Sequence, residues 1–166
     1  MAGEVVLASY FNNNIGAVLS FLLARPIFRG RQTAAQTLTT STFTAITLGT
    51  EDVDSAGGHS TVTNTSRYTG QYAGWYSGSG GAGFASNATL NRAADLRVNG
   101  TVLDGTQSNI ASLSSSTTQL VISSELFFLN VSDYVELFAF QSSGGNLNTA
   151  VTGDQQPRLN VLWQSN

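Results

Sequence analysis

NRAADLRVNGTVLDG, Asn91 to Gly105, alternates polar with apolar residues, pauses at an Asn-Gly pair, and alternates again. A period of two marks a strand with one covered face. Asn-Gly suits a type I′ turn, whose two central residues both need positive φ. The stretch therefore predicts a β-hairpin with Asn99 and Gly100 at its tip. Ala94, Leu96 and Val98 share one face. Arg92, Asp95 and Arg97 read as ion pairs on the wet side of a sheet, where such pairs contribute little.

Further runs of the same kind lie on either side: FTAITL (43–48), SRYTGQYAGWYSGSGGAGF (66–84), QLVISSELFFL (119–129), DYVELFAFQ (133–141) and RLNVLW (158–163). They are β-branched, aromatic or alternating, and Gly, Asn, Ser and Asp separate them. Many short strands without helical crossovers predict an all-β sandwich or barrel. The small residues of SGSGGAG fall inside a strand, where they permit close backbone approach or a bulge. SLSSSTT (112–118) fits an edge strand or an exposed loop.

Before Ile27 the period changes. Ile15, Val18, Leu19, Leu22 and Leu23 recur at helical spacing, Asn14 stands where a cap belongs, and Pro26 blocks continuation. The apolar run is about ten residues, half of what a membrane-crossing helix needs. Glu4 and the lack of a preceding positive charge do not fit a secretion signal. The expected division is an arm with a short helix over residues 1–26 and one domain over 27–166. The helix packs either on its own domain or on a neighbouring subunit.

Composition narrows the function. Only 10% of the 166 residues are charged, none is lysine, and the net charge is −3, which argues against phosphate-neutralising nucleic-acid binding. Without cysteine there is no disulfide, thiolate zinc site or thiol nucleophile. The single histidine, His59, sits in DVDSAGGHST, read as a Gly-rich loop. Glu51, Asp52 and Asp54 there offer oxygen ligands but not the spacing of a calcium loop. GSGGAG is not a nucleophile elbow, since it lies in a strand. Glu125 and Glu136 are a candidate carboxylate pair if their strands are adjacent. No catalytic, cofactor or metal site is assigned.

AGWYSGSGGAGF, then NATLNRAADLRVNGTVL, then DYVELFAFQSSGG resemble, in order and spacing, the series of the complement globular-head and tumour-necrosis-factor-like jelly rolls. In that series Gly74 and Tyr76 begin the central strand, Arg92 and Asn99-Gly100 mark the next hairpin, and Asp133, Val135 and Leu137 mark the penultimate strand. The resemblance spans about Arg25 to Trp163 and is greatest to versions in virion proteins of phages infecting actinobacteria. It implies a homotrimer. The residues point the same way, because DYVELFAFQ is apolar on both faces: Val135, Leu137 and Ala139 on one, Tyr134, Phe138 and Phe140 around Glu136 on the other. A sheet covered on one side should alternate, so the second face is expected against another subunit.

The expectation is an antiparallel jelly-roll sandwich with a short N-terminal helical arm, acting as a non-enzymatic structural protein of a bacteriophage virion. Its place is the tail or tail tip, with host adsorption as the implied role. A capsid-head decoration protein and a carbohydrate-binding module are the alternatives, and a hydrolase is the competing enzyme class. Leu126, Phe128, Tyr134, Phe138 and Phe140 are expected at the trimer interface. Ile15, Val18, Leu19, Leu22 and Leu23 are expected to attach the arm to other virion subunits. The expected partners are further copies of the chain, those subunits and a host-surface glycan, without cofactor, nucleic acid or membrane insertion.

Overall fold

The computed structural model describes Tyr10, residues 12–113 and residues 116–166; Ser114 and Ser115 of SLSSSTT lie outside the described residues. Two antiparallel sheets face each other. The first contains β1 (Ile27–Arg31), β4 (Thr50–Asp54), β6 (Gly74–Phe84), β10 (Thr118–Leu129) and β13 (Arg158–Ser165), in the order β10-β6-β13-β1-β4. The second contains β3 (Thr44–Ala45), β7 (Asn91–Val98), β8 (Thr101–Val102) and β11 (Tyr134–Gln141), in the order β3-β11-β7-β8. In it β5 (Arg67–Thr69) also pairs with β11, and β9 (Ser108–Ala111) with β7. A two-stranded piece joins β2 (Thr37–Leu38) to β12 (Leu147–Asn148).

Period-two alternation builds the core between the sheets. Phe127 and Leu129 of β10, Tyr76 of β6, and Leu159, Val161 and Trp163 of β13 meet Leu96 of β7 and Val135, Leu137 and Ala139 of β11, all buried. Asn99 and Gly100 have φ of 50° and 81°, so the β7–β8 hairpin closes on the turn its sequence favours.

Several expected elements differ. The run 66–84 is two strands in different sheets. The chain crosses between them after Gly70, whose N–H donates to the Asp133 carbonyl at 2.8 Å and whose carbonyl accepts from Ser132 N–H at 2.9 Å. FTAITL contributes only Thr44 and Ala45 to a ladder. Glu51, Asp52 and Asp54, the acids assigned to a Gly-rich loop, lie instead in the strand Thr50–Asp54 on β1, because backbone pairing outweighs their weak strand propensity.

Asp133 links two turns. Its Oδ2 accepts from the Asn130 N–H at 2.7 Å and the Asn130 amide at 3.0 Å, and its Oδ1 accepts from the Asn99 amide at 2.8 Å. The backbone hydrogen bond from Asn130, followed by the two amide bonds, holds this carboxyl below the usual Asp range. A depressed folded-state pKa stabilises the fold above the unfolded-state value. That contribution is lost as pH falls below about 4 and on through the folded value. Asp133→Asn should therefore melt lower than the wild type at pH 7, and the difference should shrink on acidification. Urea melts at pH 7 and pH 3 measure both.

In the described part of the arm a π-helical segment, Asn12–Gly16, runs into α1 (Ala17–Leu23). Asn14 does not cap it. Its amide donates to the Tyr10 carbonyl at 2.9 Å, inside a segment that is already helical. The residue that packs is Phe21, set edge-on against Tyr72 and Trp163 with ring centroids 4.9 and 5.0 Å apart. The stripe read from the sequence stays outside: Ile15, Val18, Leu19, Leu22 and Leu23 are all exposed.

Candidate functional site

β6, which lies between β10 and β13 in the first sheet, explains the shape of its outer face. Along GWYSGSGGAGF, Tyr76, Gly78, Gly80, Ala82 and Phe84 point into the sandwich, and Trp75, Ser77, Ser79, Gly81 and Gly83 point out. Gly78 is small because a Cβ there would stand 2.7 Å from the Phe127 ring, and Gly83 because a Cβ would collide with the Gln155 carbonyl. With Ser and Gly along its centre, the outer face is a shallow trough. Its walls are the side chains of β10 and β13.

One end of this trough is apolar. Leu126 and Phe128 alternate outward from Phe127 and Leu129, and they are 60% and 44% exposed. Phe128 lies opposite Trp75 in register. The two rings meet edge to face at 5.7 Å, with Trp75 46% exposed. Three large apolar side chains on adjacent strands are thus left against water, which suits a contact surface.

The other three residues expected at the interface lie elsewhere. Tyr134, Phe138 and Phe140 are on the outer face of the second sheet, so the five do not form one surface. Their face is covered largely by the same chain. The Arg97 guanidinium lies 4.1 Å from the Phe138 ring centroid and 4.7 Å from that of Phe43, and Phe43 packs on Phe140 at 5.0 Å. Arg67 lies 3.9 Å over Tyr134. Stacked guanidiniums act as an apolar cover here, which is why both faces of β11 read as apolar.

The charges of the opening hairpin are therefore not on a wet face. Asp95 is 1% exposed and takes Arg97 in a bidentate pair at 2.8 and 3.2 Å. Arg92 is fully buried, on the same face as Ala94 and Leu96. Its Nη1 donates to the carbonyls of Thr89 and Asn91 at 2.9 and 3.0 Å, and its Nη2 to that of Asn87 at 2.9 Å. Burial without a carboxylate lowers its pKa from the ordinary value. Arg92 is thus a pin for the loop between β6 and β7.

The residues weighed for chemistry are engaged in structure. The His59 side chain is buried, with Nδ1 2.8 Å from Glu51 Oε1 and Nε2 3.0 Å from the Thr65 carbonyl oxygen. Asp54 accepts the N–H groups of Gly58 and His59 at 3.1 and 2.8 Å, while Asp52 turns to Arg29 and Arg31. The three acids point three ways, and among the described residues no group of three His, Asp or Glu side chains could hold a metal ion. Glu125 and Glu136 are not on adjacent strands. β10 and β11 belong to different sheets, and Glu136 is buried against Ser66 and Arg67 at 2.6 and 3.2 Å. Two buried tyrosines close this end of the core: Tyr68, whose pKa desolvation raises, and Tyr76, likewise raised by desolvation although its hydroxyl donates to the Tyr72 carbonyl at 2.7 Å.

No family model and no curated protein matches the chain. Among solved structures, it is similar to the Eiger TNF of S. frugiperda, with a TM-score of 0.60 and 14% identity over 86% of this chain and 95% of that one. Murine APRIL at pH 5.0 matches with a TM-score of 0.63 and 9% identity, over 84% of this chain and 98% of that one. At such identities the likeness concerns the fold alone: the chain has a tumour-necrosis-factor-like jelly-roll fold.

Proposed function

We propose that the chain is a non-enzymatic structural protein, a homotrimer built into a bacteriophage particle at the tail or tail tip. Its copies meet through the apolar end of the first sheet's outer face, and its N-terminal arm attaches the trimer to other virion subunits. The observation that carries the reading is the cluster of Trp75, Leu126 and Phe128, three large apolar side chains that the described residues leave about half exposed. Burying them releases water from apolar surface at about 25 cal/mol per Å². The order of motifs supports the phage setting through its resemblance to virion proteins, and a role in host adsorption follows from the tail position. A head decoration protein remains the second reading, since the same arm serves either place.

The arm gives the test. Among the described residues of the arm, Phe21 is the aromatic anchor on the sandwich, a contact worth roughly 1–2 kcal/mol. Deleting residues 1–24 should lower the melting temperature by only a few degrees and leave a folded assembly that no longer enters particles. Electron microscopy of particles carrying the full-length and shortened chains reads this directly. Density for the shortened chain at normal occupancy would refute the attachment role, and density on the head would replace the tail by the capsid.

A further inference from the structure

The opposite end of the same outer face is cationic. Arg29 and Arg31 project from β1 and Arg158 from β13, and Arg31 lies directly across from Arg158 in register. Like charges set opposite each other weaken a ladder. The nearest compensation is shared: the Asp52 carboxylate stands 3.1 Å from Arg29 Nε and 2.8 Å from Arg31 Nε. Arg31 also donates to Gln156 Oε1 at 3.3 Å. Arg158 has no ion pair and no side-chain hydrogen bond among the described residues. Its guanidinium lies over Gly81, 3.8 Å from where a Cβ would stand, so the glycine leaves it room.

These three arginines line an open cavity of about 320 Å³ with Gly153, Asp154 and Gln156. Against three guanidiniums stand two carboxylates, Asp52 and Asp154, and Asp52 is already divided between two partners. The place carries excess positive charge in a chain whose net charge is −3. Most of the N–H donors of these guanidiniums also have no protein acceptor among the described residues.

We infer that this cavity binds an oxyanion, a sulfate, phosphate or carboxylate group, either free or carried on an acidic saccharide. Planar guanidiniums converging on one space match two or three oxygens of such a group, with charge-assisted hydrogen bonds. An anion there would also relieve the Arg31–Arg158 repulsion. The volume is at the lower end of small-ligand sites, so it admits a ring bearing the anion as well as the bare ion. The site goes beyond the proposed assembly. It is complete in one chain, and Arg158 is seven residues along β13 from Ser165, the partner of Trp75, roughly 23 Å away.

The test titrates the intact protein, labelled with ¹⁵N-arginine, with sodium sulfate at constant ionic strength set by sodium chloride. The Nε–H signals of Arg29, Arg31 and Arg158 should move saturably while that of Arg97 stays still. Arg158→Gln should weaken binding about tenfold with an unchanged melting temperature in chloride. Uniform, non-saturating movement of all arginines would overturn the site, as would equal sulfate affinity in a folded Arg158→Gln variant. A sulfated disaccharide binding more tightly than sulfate assigns the anion to a saccharide. Equal affinity assigns it to a free ion.

Discussion

Arg92→Leu should destabilise the protein by about 3 kcal/mol or more, a fall in melting temperature of roughly 6–12 °C for a domain of this size. The substitution removes the donor to three carbonyls, those of Asn87, Thr89 and Asn91. Leucine fills the space but gives nothing back, and each buried acceptor left unsatisfied costs about 1–3 kcal/mol. Relief from burying a cation offsets part of this. Lysine should not rescue, because a single ammonium cannot reach positions that the guanidinium spans with two nitrogens. Urea denaturation of the three proteins checks the order: wild type most stable, with both variants well below it. A loss under about 1 kcal/mol would mean that water replaces the guanidinium and that Arg92 is no pin.

Phe128→Asp should dissociate the assembly while leaving the chain folded. Phe128 points away from the core and stacks edge-on against Trp75. A carboxylate there costs the single chain little, but in a contact between copies it becomes a desolvated charge without a partner. Truncating an aromatic hot spot at the centre of an interface costs about 2 kcal/mol or more, and three-fold repetition counts the loss at each contact. The matching substitution on the other sheet, Phe138→Asp, should behave differently. It displaces the ring under Arg97 and sets a second acid beside Asp95, so it should lower stability without changing the number of chains. Light scattering and circular dichroism on the two variants separate assembly from folding. Dissociation by Phe138→Asp with no effect of Phe128→Asp would move the interface to the second sheet.

The contrast between these two phenylalanines shows how far the sequence can be read. Both alternate outward from a buried neighbour, and along the chain the patterns are the same. They differ in sheet, because β10 pairs with β6 while β11 pairs with β7, and strand partnership is a long-range property that alternation does not carry. The hairpin at Asn99-Gly100 was legible since its turn chemistry and its period are local. Arg92 was not: at a position of apolar parity, its acceptors are backbone carbonyls of a loop, which leave no side-chain pattern. β4 was hidden for a related reason, its acids masking an edge strand that backbone pairing to β1 makes regular. His59, the one histidine, stands close in sequence to three acids. Only the fold shows that its ring is held between Glu51 and a carbonyl, and that the acids diverge.

Sedimentation equilibrium of the full-length protein at micromolar concentration tests the central claim most directly. With the apolar end of the first sheet left half-exposed by the described residues, the proposed homotrimer predicts a species of three chains that persists on dilution and collapses to one with Phe128→Asp. A stable monomer across the whole concentration range, with Trp75 and Phe128 left in water, would contradict it.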